Sequence, residues 1–483
     1  MIKMFEFVDL NNNEYFYNND TGMIFPKLYS GEFENLQSCK IANINKGQIQ
    51  QIEEFADVLN NNTHIWNQDL LTDNYYVDNG IKQLTFKLTN QCNLRCKYCT
   101  YSNHYKNTDT YNNKVLDFET SVKAIDIYMG YIEDHNRVNN GIKVQPHFTF
   151  YGGEPLLQYE LITRIVEYIK DKYKDFVPQY LMTTNGVLLN QERVDFLKDN
   201  KFFLSLSIDG YLENHDRNRV SQEDKGTFNQ INNLVNKYLR DYDKWNIFMC
   251  YDILTDFNRL KSEENFGDGS DWFFKKIAKV TPVMDINTDY YDQFSDTDIN
   301  EFRNNFRQMR ENYIRNKIEN NPIDIISSII YDYEFIMLDD RQKFRFGGSF
   351  YETPIGNCIP GDKLFLQTDG TFTLCEKVPN FPELIIGDIN NGIEIKKVQD
   401  LIKKINKDLL INCKSCEISK LCMFCYSILE KDDKNKITIN TDVCESQKTT
   451  LRNKLGNYVY LKTKNPDVFN RFFIDKYISR IYG

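Results

Sequence analysis

Short apolar runs alternate with longer amphipathic segments through the middle of the chain. The apolar runs are rich in β-branched and aromatic residues and predict strands, whereas the amphipathic segments predict helices. The predicted strands are 82–89, 146–151, 180–184, 202–208, 246–254 and 279–286, and the first two are followed by predicted helices at 118–133 and 156–174. Repeated strand–helix units of this length indicate a parallel sheet. Six units predict an α/β fold, a partial (β/α)6 TIM barrel, with its chemistry at the carboxyl ends of the strands.

The two ends of the chain have different patterns. Residues 1–75 contain three strand candidates (MFEFVDL, EYFYN and GMIFPK) and a helix candidate at 46–59, which predict a small α+β module of the winged-helix type. The other predicted regions are the barrel at 80–290, a helical insertion at 291–350, a Cys-rich domain at 351–450 and a helical tail at 451–483.

Composition and charge narrow the classes of function. The formal net charge of −10 argues against a nucleic-acid partner, which usually needs a basic face. The chain lacks a signal-peptide pattern and has no run of about 18 apolar residues, so we expect no membrane partner and a cytoplasmic location. Thiols stay reduced in the cytoplasm, and 12 cysteines therefore indicate metal or redox chemistry rather than disulfides.

Three cysteines lie together after the first predicted barrel strand. Cys92, Cys96 and Cys99 can wrap one four-iron cluster from a single loop, which leaves one iron open to a chelating ligand. A zinc site is the alternative, with His104 as the fourth ligand.

This Cys-x3-Cys-x2-Cys loop, with Tyr98 before its last cysteine, resembles the radical S-adenosylmethionine (AdoMet) superfamily. Further motifs of that superfamily follow in the expected order at strand ends: Gly152-Gly153-Glu154-Pro155, Thr184-Asn185-Gly186, Ser207-Ile208-Asp209-Gly210 and His215-Asp216-Arg217-Asn218-Arg219.

The resemblance implies a role for each of these residues. Gly152, Gly153 and Glu154 would hold the amino group of AdoMet, Ser207 its ribose and Arg219 its carboxylate, and Tyr98 would lie near the adenine. The three loop cysteines would be catalytic, because their cluster would reduce AdoMet to release a 5′-deoxyadenosyl radical. A reducing partner such as flavodoxin or ferredoxin is then expected.

Seven more cysteines lie in the C-terminal part of the chain. They are Cys358, Cys375, Cys413, Cys416, Cys422, Cys425 and Cys444. This series resembles the SPASM domain, which binds two auxiliary [4Fe-4S] clusters, although its last short gap is one residue shorter than the usual one. The resemblance implies that Cys358, Cys375 and Cys425 bind cluster I and that the other four bind cluster II, three clusters in all. Taken alone, the cysteines from 413 to 425 would equally suit a zinc ribbon.

Enzymes with a SPASM domain mostly modify peptides. The segments Cys358-Ile-Pro-Gly, Asp369-Gly-Thr-Phe, Cys375-Glu-Lys-Val and Ile386-Gly-Asp-Ile resemble those of maturases of ribosomally made peptides that form thioether bonds. Residues 1–75 loosely resemble their leader-recognition module. We therefore predict a maturase that takes a hydrogen atom from a Cys-containing precursor peptide and links cysteine sulfur to carbon.

Other functions stay open at this point. An anaerobic sulfatase-maturating (formylglycine-generating) enzyme is one of them, although Glu376 stands where those enzymes carry an Asp that serves as a base. Carbon–carbon crosslinking of a peptide is another. A non-catalytic iron–sulfur electron-transfer protein or zinc scaffold is a third, but it would not need Glu154, Ser207 or Arg219.

Overall fold

The structure is a computed structural model. It describes residues 4–19, 24–27, 63–65, 71–139, 143–266, 269–342, 350–352, 358–413, 416–419, 421–422 and 425–468. The helix predicted at 46–59 lies outside the described residues, as does the end of the predicted tail after residue 468. In the part of the chain that is described, no helix has the length and apolarity needed to cross a membrane.

The N-terminal strand candidates form a small antiparallel sheet. Its strands, in spatial order, are β1 (Met4–Val8), β2 (Glu14–Asn18) and β3 (Ile24–Pro26). A fourth short strand, β4 (Thr63–Ile65), belongs to a separate two-stranded pair.

The middle of the chain forms the predicted parallel sheet. The six strands are β5 (Gln83–Lys87), β6 (His147–Tyr151), β7 (Gln179–Thr184), β8 (Phe203–Ser207), β9 (Trp245–Tyr251) and β10 (Ile277–Pro282), and they lie side by side in chain order. The helices between and before them are α1 (Tyr75–Asn79), α2 (Phe118–Val138), α3 (Tyr159–Lys172), α4 (Gln191–Asp199), α5 (Leu212–Asn218), α6 (Phe228–Tyr238) and α7 (Trp272–Lys276). The prediction of six parallel strand–helix units is confirmed.

The predicted helical insertion consists of two helices, α8 (Asp296–Glu319) and α9 (Ile325–Gln342). The break falls at Asn320, whose left-handed backbone (φ 56°) ends α8, and Pro322 follows. Helix α9 packs against both α8 and β10.

The Cys-rich region continues the central sheet instead of standing beside it. After β11 (Phe350–Glu352), which pairs with β4, come β12 (Lys363–Leu366), β13 (Thr371–Thr373), β14 (Ile385–Asp388) and β15 (Gly392–Ile393). Strand β12 pairs in parallel with β5, and the next three strands follow in antiparallel order, giving a ten-stranded sheet. Strand β12 thus covers the backbone edge that β5 would otherwise expose.

The remaining elements close the C-terminal part. They are α10 (Ile395–Cys413), β16 (Leu429–Lys431), β17 (Ile437–Ile439) and α11 (Thr441–Lys464). The boundary predicted at 450 falls inside α11. This helix packs on β1, and Gly456 permits the contact because a Cβ there would collide with the carbonyl oxygen of Val8.

The two faces of the parallel sheet differ in burial. Phe148 and Phe150 of β6 are fully buried; Phe86 stacks on both, and Tyr128 of α2 packs edge-on against Phe148. The alternating residues of the same strand, such as Thr149, are only half-buried. One face therefore carries the helices and the core, and we call the opposite one the open face.

Candidate active site

The first cysteine loop gathers three thiols directly beyond β5. Burial raises the pKa of Cys92 to about 12 and raises that of Cys96 as well, and the neighbouring loop thiols, Cys99 among them, push both pKa values further up. Thiols so close together become thiolates only when a bound cation offsets their charge. The donor set suits an iron–sulfur cluster.

The loop is held in place by its own backbone and by a cation. Arg95 N–H donates to Val220 O (2.8 Å), and Lys97 N–H donates to Asn218 O (2.9 Å). The Arg95 guanidinium donates to the carbonyl oxygens of Cys92 (2.8 Å) and Leu94 (2.7 Å). These hydrogen bonds help to fix the shape of the loop.

Gly152 and Gly153 allow close backbone packing behind the same cysteine loop. Gly152 has a left-handed backbone (φ 141°), and a Cβ there would lie 2.6 Å from Thr89 O. A Cβ on Gly153 would collide with Gln91 O, and its N–H donates to Thr89 O (2.8 Å). The glycines thus let the end of β6 pack on the residues just before Cys92, a role that the sequence motif did not reveal.

Glu154 is fully buried and joins the ends of β6 and β7. Its Oε1 accepts from Thr184 Oγ1 (2.6 Å) and Leu156 N (3.0 Å), and its Oε2 accepts from Asn185 N (2.9 Å). Burial raises the pKa of Glu154, and these hydrogen bonds act against that rise. Since a carboxylate has about four acceptor positions, one remains available for an ammonium group.

Asn185 was not singled out from the sequence, although its motif was. The Asn185 side-chain amide lies 3.8 Å from Cys92 Sγ and donates to Asn93 Oδ1 (2.9 Å). A residue at a strand end thus reaches the cluster loop, which the strand-end position of the Thr184-Asn185-Gly186 motif could have suggested.

Tyr98 and Arg219 meet at a buried carboxylate, Asp209. The Tyr98 hydroxyl donates to Asp209 Oδ2 and accepts from the Arg219 guanidinium (2.7 Å), which lies 3.8 Å from Asp209. Burial raises the pKa of Asp209, whereas Arg219 lowers it. Asp209 also accepts from Cys250 N (2.9 Å) and so ties β8 to β9. The sequence missed Asp209, which lies two residues after Ser207, the half-buried last residue of β8.

The C-terminal cysteines fall into two sets. Cys358, Cys375 and Cys425 are neighbours; burial raises the pKa of Cys375 to about 12, with Glu376 and then the other two thiols adding to the rise. The second set is Cys413, Cys416, Cys422 and Cys444. Burial raises the pKa of Cys413 to about 12, and the other three thiols raise it further. The SPASM resemblance implies the same two sets, and the binding of clusters by them stays a prediction.

A family model and three relatives bear on the identity of the chain. A model of the radical SAM superfamily matches residues 86–256. A cysteine-type anaerobic sulfatase-maturating enzyme of Clostridium novyi is 24% identical over 410 residues, which cover 79% of this chain and 97% of that enzyme. The radical SAM cyclopropyl synthase TigE of Paramaledivibacter caminithermalis is 22% identical over 394 residues, which cover 77% of this chain and 73% of TigE. An uncharacterized protein of Methanocaldococcus jannaschii is 40% identical over 131 residues, only 27% of this chain and 40% of that protein.

Solved structures share the fold. Native anSMEcpe with bound AdoMet aligns with a TM-score of 0.53 at 20% identity, over 80% of this chain and 98% of that one. The same protein with AdoMet and the Cp18Cys peptide aligns with a TM-score of 0.51 at 19% identity, over 82% and 99%. The matched domain contains the cysteine loop and all the strand-end motifs. Residues 86–256 form a radical SAM domain, and the chain is a radical SAM enzyme.

Proposed function

We propose that this enzyme matures a Cys-containing precursor peptide by joining a cysteine sulfur to a carbon atom. The observation that carries the proposal is that ten thiols interact electrostatically with one another in groups of three, three and four. One set of three lies at the AdoMet motifs. The other, in the Cys-rich region, contains one thiol fewer among the described residues than a full four-iron donor set, and a substrate thiolate could complete it.

Residues of the first set and the motifs around it would prepare the radical chemistry. Bound AdoMet, together with a reduced cluster on Cys92, Cys96 and Cys99, would supply a radical that takes a hydrogen atom from the peptide. Glu154 would hold the AdoMet amino group through its remaining acceptor position. Gly152 and Gly153 would place the adjoining backbone within reach of that group.

Three further side chains would orient the rest of AdoMet. Ser207 would bind the ribose and Arg219 the carboxylate, with Tyr98 near the adenine. Arg219 donates to the Tyr98 hydroxyl, which donates to Asp209, and these bonds support the two roles because they hold both side chains in a fixed geometry.

The second set of thiols would provide the site that binds the cysteine sulfur of the peptide. A cluster on Cys358, Cys375 and Cys425 would leave one iron for the thiolate of the peptide, because soft sulfur is a better ligand for it than a carboxylate. Binding would remove the thiol proton and fix the sulfur in place. Cys413, Cys416, Cys422 and Cys444 would bind a complete third cluster. The reductant would be a flavodoxin or ferredoxin in the cytoplasm.

The N-terminal sheet would bind the leader of the precursor. In the described residues, no strand pairs with the outer edge of β3, whereas β1 packs against α11. Pro26 lies in β3, and a proline is tolerated in a strand at an edge. A peptide strand could add to this edge.

Formylglycine formation is a second candidate. The match to the Clostridium novyi enzyme over most of both chains favours it. Glu376, exposed beside Cys375, could take the place of the Asp base. The reaction would remove the cysteine sulfur and leave an aldehyde.

Mass spectrometry of a treated Cys-containing precursor separates the two reactions. A thioether keeps the sulfur, loses two hydrogen atoms and no longer reacts with iodoacetamide. Formylglycine loses the sulfur and reacts with a hydrazide. A hydrazide-reactive product would contradict thioether formation and support formylglycine formation. Recovery of unmodified peptide with every tested precursor would contradict both proposed reactions.

A further inference from the structure

Lys279 is a cation on the open face of the sheet. Its neighbour two residues on, Thr281, contacts the Cys250 thiol across the β9–β10 pair (Oγ1 to Sγ, 3.9 Å). The Lys279 ammonium lies 5.2 Å from the centroid of the Phe248 ring, two residues before Cys250. Residues two apart in a strand share a face. Phe248, Cys250, Lys279 and Thr281 therefore line one accessible surface.

Lys279 has no anionic partner among the described residues. The structure gives it no hydrogen bond and no ion pair, only the contact with Phe248. Lys87, the other lysine of the six parallel strands, is buried, pairs with Asp109 and donates to Gln367 (3.2 Å). The same sheet thus neutralises one of these lysines and leaves the other unmatched.

The surroundings of Lys279 make a carboxylate ligand favourable. Lys279 is exposed to solvent, and desolvation by the protein beside its ammonium lowers its pKa. Lys377 and Lys363 lower it further, whereas Cys250 and Glu376 raise it. An ammonium near two other cations and one exposed carboxylate is stabilised when a further anion binds.

Lys279 also lies close to residues that adjoin both sites of the proposed reaction. On the open face its neighbour Thr281 contacts Cys250, whose N–H donates to Asp209, the partner of Tyr98. The Lys279 ammonium also interacts electrostatically with Glu376, next to Cys375 of the second thiol set. A peptide bound near both sites would come within reach of this ammonium.

We propose that Lys279 determines specificity by binding an Asp or Glu side chain of the peptide, close in sequence to the modified residue. The inference rests on the proposed peptide-modifying function and names its substrate class, an acidic peptide. It does not depend on whether the product is a thioether or formylglycine.

A selection from a peptide pool tests this without knowledge of the natural precursor. The probe is a pool of 18-residue synthetic peptides with a central cysteine and randomised flanking positions, captured anaerobically on immobilised holoenzyme. The wild type is expected to enrich Asp and Glu over Asn and Gln about tenfold, which corresponds to about 1.4 kcal/mol. Lys279→Gln should bring this ratio to about one, and Lys279→Glu should favour Lys and Arg instead.

Two controls identify the ligand of Lys279. Lys377→Gln, a neighbouring exposed lysine, should keep the preference of the wild type. AdoMet affinity and uncoupled 5′-deoxyadenosine formation should be unchanged in Lys279→Gln. A loss of AdoMet affinity in that variant would mean that Lys279 binds the AdoMet carboxylate, and the proposal would be wrong.

The outcomes separate this inference from the proposed function. Equal enrichment of acidic and amide residues by the wild type would overturn the role of Lys279 and leave the peptide function standing. A preference that persists in Lys279→Gln would do the same. Capture of no peptide by any variant would contradict both.

Discussion

The loop that carries Cys92 and the region that carries Cys358 to Cys444 bring their thiols together in different ways. The first set of thiols comes from eight consecutive residues, whose backbone is fixed by Arg95 and by the close packing of Gly153. The second and third sets come from segments far apart in the chain, and both Cys358 and Cys444 are exposed. In the proposed enzyme, the first site would be shaped by its own hydrogen bonds and packing, whereas the other two would depend on their clusters to hold distant segments together.

Loss of the first set should have the largest effect on activity. Replacing Cys92, Cys96 and Cys99 together with Ala should reduce 5′-deoxyadenosine formation to background, because Cys250, the remaining described thiol beside the AdoMet motifs, cannot hold a cluster alone. Iron content should fall by about one third, since the other two clusters remain. Anaerobic chromatography and iron analysis measure both. Continued AdoMet cleavage by this variant would show that the radical chemistry lies elsewhere.

Iron removal should change the amide hydrogen exchange of the two regions to different extents. After chelation under reducing conditions, amide hydrogen exchange should speed up by more than tenfold in residues 358–375 and 413–444. Residues 89–99 and 150–156 should change little, since their hydrogen bonds need no metal. Equal loss of protection in both regions would contradict the idea that the first loop is shaped in advance.

Gly153 tests the packing behind that loop. Gly153→Ala should lower the free energy of unfolding by about 2 kcal/mol, because the new Cβ collides with backbone rather than with a flexible side chain. Gly130→Ala in α2 is the matched control. No atom lies within 4 Å of its added Cβ, and the change should stabilise the helix by up to about 1 kcal/mol. Urea denaturation measures both, and equal effects would refute the packing argument.

His215 should give a smaller, pH-dependent effect. It is fully buried, and burial and Arg219 hold its pKa well below the ordinary value. Its Nδ1 accepts from Asp209 N (3.2 Å), so the folded state needs the neutral ring. The unfolded chain takes up a proton below pH 6.5 that the folded chain does not, and stability is therefore complete above that pH and falls below it.

The measurement compares the free energies of unfolding at pH 7.0 and pH 5.5. The wild type should lose about 1 kcal/mol more than His215→Gln, which cannot gain this charge. The same loss in both proteins would mean that His215 does not account for it.

The sequence predicted local features better than distant ones. Strand β6 was expected at 146–151 and runs over 147–151, because its alternation of aromatic and polar residues is complete within six positions. The attachment of β12 to β5 could not be predicted, since β12 has four residues and its partner lies about 280 residues earlier in the chain. Pairing over that distance leaves no periodic signal in either segment.

In the candidate site, too, local motifs were predicted and contacts between distant residues were not. Cys92 was found from the spacing of the cysteine loop, whereas Glu154 and Arg219 were found because their short motifs resemble those of the superfamily. Asp209 and Asn185 lie in motifs that were also recognised, but their contacts with Tyr98 and with Cys92 depend on how the strand ends meet. A local pattern locates a motif, but the arrangement of the strand ends in the sheet determines which of its side chains contact the cluster loop.

The central claim is that the set of Cys358, Cys375 and Cys425 binds the sulfur of the substrate. Electron paramagnetic resonance of the reduced holoenzyme, recorded with a Cys-containing precursor and with its Cys-to-Ser variant, tests it most directly. We expect the Cys peptide alone to change the signal of one auxiliary cluster, because a thiolate on iron alters the electronic structure of that cluster. Identical spectra with the two peptides would contradict the claim.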